Sequence, residues 1–210
     1  MTRKLVAIVA CAALTVAFAG ASSADDNARG EALYDLCQQC HGVDGGGSQL
    51  ALAPAIAGLE QWYVEAQLKN FRSGLRGLHA QDLAGLRMYP MSLTLASEDD
   101  VSAVAKYVAS MPAVAQARTV EGGDAAKGAE SYKVCVNCHG DKGDGNKTLN
   151  SPPLRGMSDW YLLTTLRKFR EGVRGTNPKN PNEMLMRGMS LSLTDDQAIK
   201  DVIAHIQTFN

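Results

Sequence analysis

The sequence of 210 residues lacks several features that mark common classes of protein. It contains no basic tract, so recognition of nucleic acid is not expected. No segment alternates between β-branched and polar residues, which argues against a β-sheet. The longest apolar run, residues 5–18, is shorter than the roughly 20 residues that a transmembrane helix requires. The pattern that remains is helical throughout.

Cysteine is also scarce, and four of the five cysteines fall in two copies of one pentapeptide. Residues 37–41 and 135–139 both read C-x-x-C-H, the attachment signature of c-type haem. Two thiols about one helical turn apart can each add to a vinyl group of one porphyrin, and the adjacent histidine can bind the iron. The fifth, Cys11, lies in the apolar run, and its acylation is disfavoured. The predicted haem-binding residues are Cys37, Cys40 and His41, and Cys135, Cys138 and His139.

Two other uses of paired cysteines fit less well. Each motif offers three candidate zinc ligands, whereas a structural zinc site needs four. Thioredoxin-like redox chemistry is typical of a single C-x-x-C in an α/β pattern, which this sequence does not show.

Residues 1–24 are predicted to be a cleaved secretory signal peptide. Arg3 and Lys4 precede the apolar run, and small residues follow it. Cleavage is expected after Ala21 or Ala24. The mature protein is therefore expected in the periplasm.

The rest of the chain consists of two copies of one module, at an offset of 98 residues. Such a tandem repeat predicts two small domains, residues 25–111 and 124–210, joined by a linker at 112–123. Each copy is small for a core of its own, and a covalently held haem would supply apolar surface. The gapless offset aligns Gly30 with Gly128, Tyr34 with Tyr132, Pro54 with Pro152, Phe71 with Phe169, Arg76 with Arg174, Met88 with Met186, and Met91 with Met189.

Each copy is predicted to be helical. Asp26 and Asp124 are plausible N-caps of a first helix, and residues 62–72 and 160–170 carry apolar side chains at helical spacing. Capping boxes are expected to open the last helix of each copy: Ser97 with Asp100, and Thr194 with Gln197.

A sixth iron ligand is expected to be methionine, because a neutral thioether favours ferrous iron and raises the reduction potential. Met88 aligns with Met186, and Met91 aligns with Met189. The repeat alone does not choose between these two pairs.

The order of motifs resembles a class I cytochrome c, and two modules in one exported chain resemble the dihaem cytochrome c4 family. The motifs are C-x-x-C-H, P-x-[IL]-x-G, W-Y, F-R-x-G-x-R-G and M-x-x-M-S-L. The resemblance implies that Met88 and Met186 bind iron, with Met91 and Met189 packing nearby. It further implies three sets of supporting residues: the proline carbonyls of Pro54 and Pro152, the helix-crossing glycines Gly30 and Gly128, and the aromatic Tyr107, which His205 replaces in the second copy.

The two copies differ in charge and in one loop. Residues 25–120 carry seven basic and 11 acidic residues, a net charge of −4, whereas residues 121–210 carry 12 and 11, a net charge of +1. Residues 75–87 are rich in Leu and Ala, and residues 173–185 are rich in Pro and Asn. We expect the two haems to differ in exposure and potential.

These observations predict an all-α protein of two tandem class I cytochrome c domains, each wrapped around one covalent haem c. Its expected function is electron transfer between redox proteins of a respiratory chain. The donor would be a quinol-oxidising complex or a dehydrogenase, and the acceptor a terminal oxidase or reductase. Peripheral association with a membrane stays open. The alternatives are a dihaem enzyme (a peroxidase or a sulfur-compound dehydrogenase) and a fixed cytochrome subunit of an oxidase or dehydrogenase complex.

Overall fold

The computed structural model describes residues 21–209, and most of the predicted signal peptide lies outside them. Helices joined by loops make up this part of the chain, and its only strand-like pairings are isolated bridges at Ser48–Ala53 and Asn146–Ser151. None of its helices is both long and apolar enough to cross a bilayer. The all-α prediction is confirmed.

The two copies form helices in the same order. The first copy contains α1 (Ala21–His41), α2 (Gln61–Arg72), α3 (Leu83–Leu93) and α4 (Glu98–Ser110). The second copy contains α5 (Ala125–Tyr132), α6 (Val136–His139), a 3₁₀ turn (Lys147–Leu149), α7 (Asp159–Arg170), α8 (Pro181–Ser190) and α9 (Asp196–Ile206). Helices α5 and α6 together occupy the place of α1.

The first and last helices of each copy cross at a glycine. A Cβ atom on Gly30 would overlap the carbonyl oxygen of Ala103 on α4, and one on Gly128 would overlap that of Asp201 on α9. Only glycine lets the two backbones approach so closely. The crossing expected from the resemblance is thus present in both copies. In the second, the His205 ring lies 5.3 Å from the ring of Tyr132 and takes over the packing role of an aromatic residue.

The predicted capping residues are confirmed in two cases. Ser97 and Asp100 form a complete capping box at α4, and the Asp124 side chain accepts hydrogen bonds from the first turn of α5. Asp26 is not an N-cap, because α1 has already begun at Ala21.

The capping box predicted at Thr194 and Gln197 is also wrong. The N-cap of α9 is Asp195, whose carboxylate accepts from the amide of Ala198. Asp195 is the residue 98 positions after Ser97, so the repeat offset already pointed to it.

Helices α3 and α8 include the last five residues of the segments 75–87 and 173–185, which the sequence suggested were loops. Each is capped at an equivalent residue, because Asp82 accepts from the amide of Gly85, and Asn180 accepts from the amide of Glu183. Pro90 inside α3 and Gly188 inside α8 are poor helix formers. Their presence is the reason that the sequence pattern did not predict these helices. As a result Met88 and Met186 lie on helices.

The linker is ordered and contacts both domains. Asp159, 1% exposed, accepts hydrogen bonds from the amides of Thr119 and Val120 at 2.6 and 2.8 Å, and from the Thr119 hydroxyl. Gln116 donates to the carbonyl oxygen of Gly46 in the first copy and accepts from the Ser158 hydroxyl in the second. These bonds fix the connection between the two copies.

Replacing Asp159 by Asn is expected to lower the free energy of unfolding by about 2 kcal/mol, since an amide cannot accept from all of these donors. Burial raises the pKa of Asp159, but the hydrogen bonds from the linker outweigh it and the net shift is downward. The wild-type contribution is therefore present above the ordinary carboxyl pKa and lost as pH falls through the lower folded value. Denaturant titrations between pH 7 and pH 2 measure this.

The control for this experiment is Glu31→Gln, which neutralises an exposed carboxylate on α1. The Asp159→Asn protein should lose less stability on acidification than the wild type, whereas Glu31→Gln should follow the wild type. Identical acid profiles for all three proteins would contradict the role given to Asp159.

Candidate haem sites

The histidine of each C-x-x-C-H motif is held by a proline carbonyl. His41 Nδ1 lies 2.8 Å from the carbonyl oxygen of Pro54, and His139 Nδ1 lies 2.8 Å from that of Pro152. A carbonyl oxygen can only accept, so Nδ1 carries the proton and Nε2 of the neutral ring keeps a lone pair. The contacts implied by the resemblance are present in both copies, and they leave the other ring nitrogen available for a metal.

Both histidines are buried, at 8% and 7% exposure. Burial lowers the pKa of His41 and of His139, and the hydrogen bond to proline only partly offsets this. Both rings are therefore neutral at physiological pH, which is the form of imidazole that binds a metal.

The cysteines lie on the last helical turn before each histidine. In the first copy this turn is the end of α1, and in the second it is α6, which follows directly on Cys135. Burial raises the pKa of Cys37 and of Cys135 to about 11, so neither thiol ionises at neutral pH.

A cavity of about 310 Å³ opens beside the first motif. Its wall is mostly apolar and is contributed by α1, the Pro54 loop, α2 and α3. The candidate residues that line it are Cys37, Cys40, His41, Pro54, Met88 and Met91. The fold thus brings together the first-copy residues that the sequence predicted to attach the haem, bind its iron or lie beside it.

The second copy arranges its residues in the same way around its own core. Cys135 and Met186 pack against the buried cluster of the second copy, as Cys37 and Met88 pack against that of the first. Met189, by contrast, is 36% exposed.

Two tyrosines support the C-x-x-C-H motifs. The repeat aligns them, but the sequence pattern assigned them no role. The Tyr34 hydroxyl donates to the carbonyl oxygen of Gly42 at 2.7 Å, and the Tyr132 hydroxyl donates to that of Gly140 at 2.9 Å. Each bond ties the helix that leads into a motif to the residue that follows its histidine. The repeat alignment was the available signal for them.

One arginine shows that a group with a carboxylate fits the first pocket. Arg76 and Arg174 are 8% and 7% exposed, and each guanidinium lies 4.5 Å above the ring of Phe71 or Phe169. Arg174 already pairs with the carboxylate of Glu183, whereas Arg76, which lines the first cavity, donates to neutral side chains. The Nε of Arg76 is also buried without a hydrogen-bond partner in the described part of the chain. A buried cationic donor is costly unless an anion reaches it, and a haem propionate is such an anion.

The second copy also closes the first cavity. The wall of the first cavity includes four residues of α7: Trp160, Tyr161, Thr164 and Lys168. Arg76 donates to the hydroxyl oxygen of Tyr161 at 3.0 Å. The first site is therefore completed across the boundary between the copies.

Replacing Tyr34 by Phe is expected to lower the free energy of unfolding by about 1 kcal/mol at neutral pH, because the buried carbonyl of Gly42 loses its donor. Burial, followed by nearby negative groups, raises the pKa of Tyr34 to about 12. The wild type should therefore lose stability as pH rises from the ordinary tyrosine value towards 12. Denaturant titrations at pH 8 and pH 11 test whether Tyr34→Phe reduces this loss. An unchanged alkaline loss relative to wild type would contradict the assignment.

Comparison with known proteins assigns the chain to a family. The cytochrome c family pattern matches residues 27–112 and again residues 125–210. A cytochrome c4 of Pseudomonas aeruginosa is 32% identical over 97% of this chain and 98% of the relative. A thiosulfate dehydrogenase electron acceptor of Stutzerimonas stutzeri is 32% identical over 81% of this chain and 78% of the relative.

A solved structure agrees with these relatives. The crystal structure of reduced recombinant cytochrome c4 from Pseudomonas stutzeri matches with a TM-score of 0.66 at 28% sequence identity, covering 86% of this chain and 97% of that one. Two cytochrome c domains imply two haem c groups, each attached covalently through a C-x-x-C-H motif. The chain belongs to the cytochrome c family and, within it, to the dihaem electron carriers named cytochrome c4.

Proposed function

We propose that this protein is exported to the periplasm and carries electrons between other redox proteins without transforming a substrate of its own. The observation that carries the proposal is that one complete set of site residues occurs twice. Each set has a buried histidine on a proline carbonyl and a methionine packed against the same core as the first cysteine. A dihaem enzyme needs one open or unusually bound iron, and hence unlike residues in the two copies.

The iron ligands in this proposal are His41 with Met88, and His139 with Met186. Met88 and Met186 belong to the cores that also hold the haem-binding cysteines, which supports them over Met91 and the exposed Met189. Cys37 and Cys40, and Cys135 and Cys138, are the attachment residues. The domains are placed at residues 25–111 and 124–210.

When bound, a haem supplies a one-electron couple between ferric and ferrous iron. The chain's own residues control its surroundings. The proline carbonyls orient the histidine rings, the apolar wall of the first cavity excludes water, and Arg76 offers buried positive charge to a propionate. These groups are already in place and need little rearrangement when charge changes, which favours rapid transfer.

The partners are proposed to be a dehydrogenase or quinol-oxidising complex as donor and a terminal oxidase or reductase as acceptor. The relative named as the electron acceptor of thiosulfate dehydrogenase supports a dehydrogenase donor. The first half has a net charge of −4 and the second a net charge of +1, which suits docking of different partners on different halves.

A potentiometric titration with visible spectra tests the function as a whole. An electron carrier should show two one-electron steps at clearly positive potentials, with both haems low-spin throughout. A high-spin component that binds peroxide would instead favour the dihaem peroxidase.

Replacing Met88 by Ala is expected to remove the sixth ligand of the first iron and leave the second unchanged. The charge-transfer band between methionine sulfur and ferric iron should lose about half its intensity, and one of the two potentials should fall. Spectra and titration of the purified holoprotein measure both effects.

The matched control is Met91→Ala, which removes a methionine from the same cavity. It should retain the full band and both potentials. If Met91→Ala loses the band while Met88→Ala keeps it, the ligand assignment is wrong. The same pair of variants at Met186 and Met189 tests the second site.

A further inference from the structure

The two copies face each other through equivalent residues. Residues 75–79 and 173–177, which correspond at the repeat offset, line opposite sides of a cavity of about 170 Å³ between the domains. Arg76 reaches Tyr161 of the other copy, and Arg174 reaches Gln67 of the other copy. The two copies therefore meet through equivalent loops, although the individual hydrogen bonds differ, since the counterpart of Gln67 is Thr165.

Two buried ion pairs have no counterpart in the other copy. Arg174 pairs with Glu183 within the second copy, where the first copy has Gly85.

The other pair joins the two copies. Lys168 of α7 lies 2.6 Å from the carboxylate of Asp82 at the start of α3, and their side chains are 19% and 2% exposed. The positions equivalent to Lys168 and Asp82 are Asn70 and Asn180, which carry no charge. A charged contact thus exists at one of two equivalent places.

The pair lies beside the first haem site. Lys168 lines the cavity that also holds His41 and Met88, and the residues on either side of Asp82, Gln81 and Leu83, line it too. The cavity wall is mostly apolar, so a charge there is poorly screened by water. A lysine of the second domain is therefore part of the surroundings of the first haem.

We propose that the Asp82–Lys168 pair, formed across the domain boundary, keeps the charge beside the first haem balanced, so that loss of either partner shifts the reduction potential of that haem. The inference deepens the electron-carrier proposal and rests on it. Oxidation adds one positive charge at the iron, so a nearby carboxylate favours the ferric state and a nearby ammonium group favours the ferrous state. While the two charges are paired, their effects on the potential largely cancel.

Breaking the pair from either side should shift the potential in opposite directions. Asp82→Asn leaves the lysine charge unopposed and should raise the potential of the first haem. Lys168→Asn leaves the carboxylate unopposed and should lower it. A single buried charge is expected to change the equilibrium for electron exchange between the two haems on the order of tenfold.

The chain itself supplies conservative variants for this test. Asn180 already caps α8 by accepting from the amide of Glu183, so Asn at position 82 can cap α3 in the same way. Asn70 shows that Asn is accommodated at the α2 position equivalent to Lys168. Both variants are therefore expected to fold.

The experiment is a potentiometric titration of the wild-type holoprotein, the two single variants and the double variant Asp82→Asn/Lys168→Asn at pH 8. The two single variants should shift the reduction potential of the first haem in opposite directions, and the potential of the double variant should lie close to that of the wild type. Asn180→Asp, which adds a carboxylate at the equivalent place in the second copy, should lower the other potential.

Several results would overturn the proposal. If both single variants shift the potential in the same direction, if both haems shift equally, or if the potential of the double variant lies as far from the wild type as those of the single variants, the pair acts only on structure. The charge-transfer band is recorded for each protein. If the wild type lacks that band, the methionine ligands and hence the electron-carrier proposal are wrong. This outcome is distinct from a failure of the role proposed for Asp82 and Lys168.

Discussion

Each domain depends on the hydrogen bond between a buried imidazole and a proline carbonyl. The bond determines which ring nitrogen carries the proton, and it joins the end of the motif helix to the loop that contains the proline. His41 sits at the end of a helix and Pro54 in a loop, so neither position alone can orient the ring. The tyrosine bonds to Gly42 and Gly140 hold the same turn from the opposite side.

The repeat explains why so much of the structure could be predicted from the sequence. Every residue that matters to both sites occurs at the same offset, so a feature found in one copy could be looked for in the other. Where that offset was not followed, the prediction was wrong: Thr194 was chosen as a cap, although Asp195 is the counterpart of Ser97.

Other features left weak signals in the sequence. Helices α3 and α8 contain Pro90 and Gly188, and they form because tertiary packing and good N-caps outweigh poor intrinsic propensity. Contacts between the domains, such as Lys168 with Asp82, join residues that the repeat does not pair with each other. Complementary charges at distant positions become recognisable only when the fold has brought them together.

The crossing of first and last helices also bears on how such a chain can arise. Gly30 lies against α4, and Gly123, just ahead of α5, lies against the backbone of Lys200 on α9. The beginning and the end of each module are therefore neighbours in space. A gene duplication can join two such modules by a short connection that stays on the surface and threads through neither. Because its two ends lie close together, a single module can be joined to a second one by a short connection. A single-domain ancestor would already have had this property before the duplication.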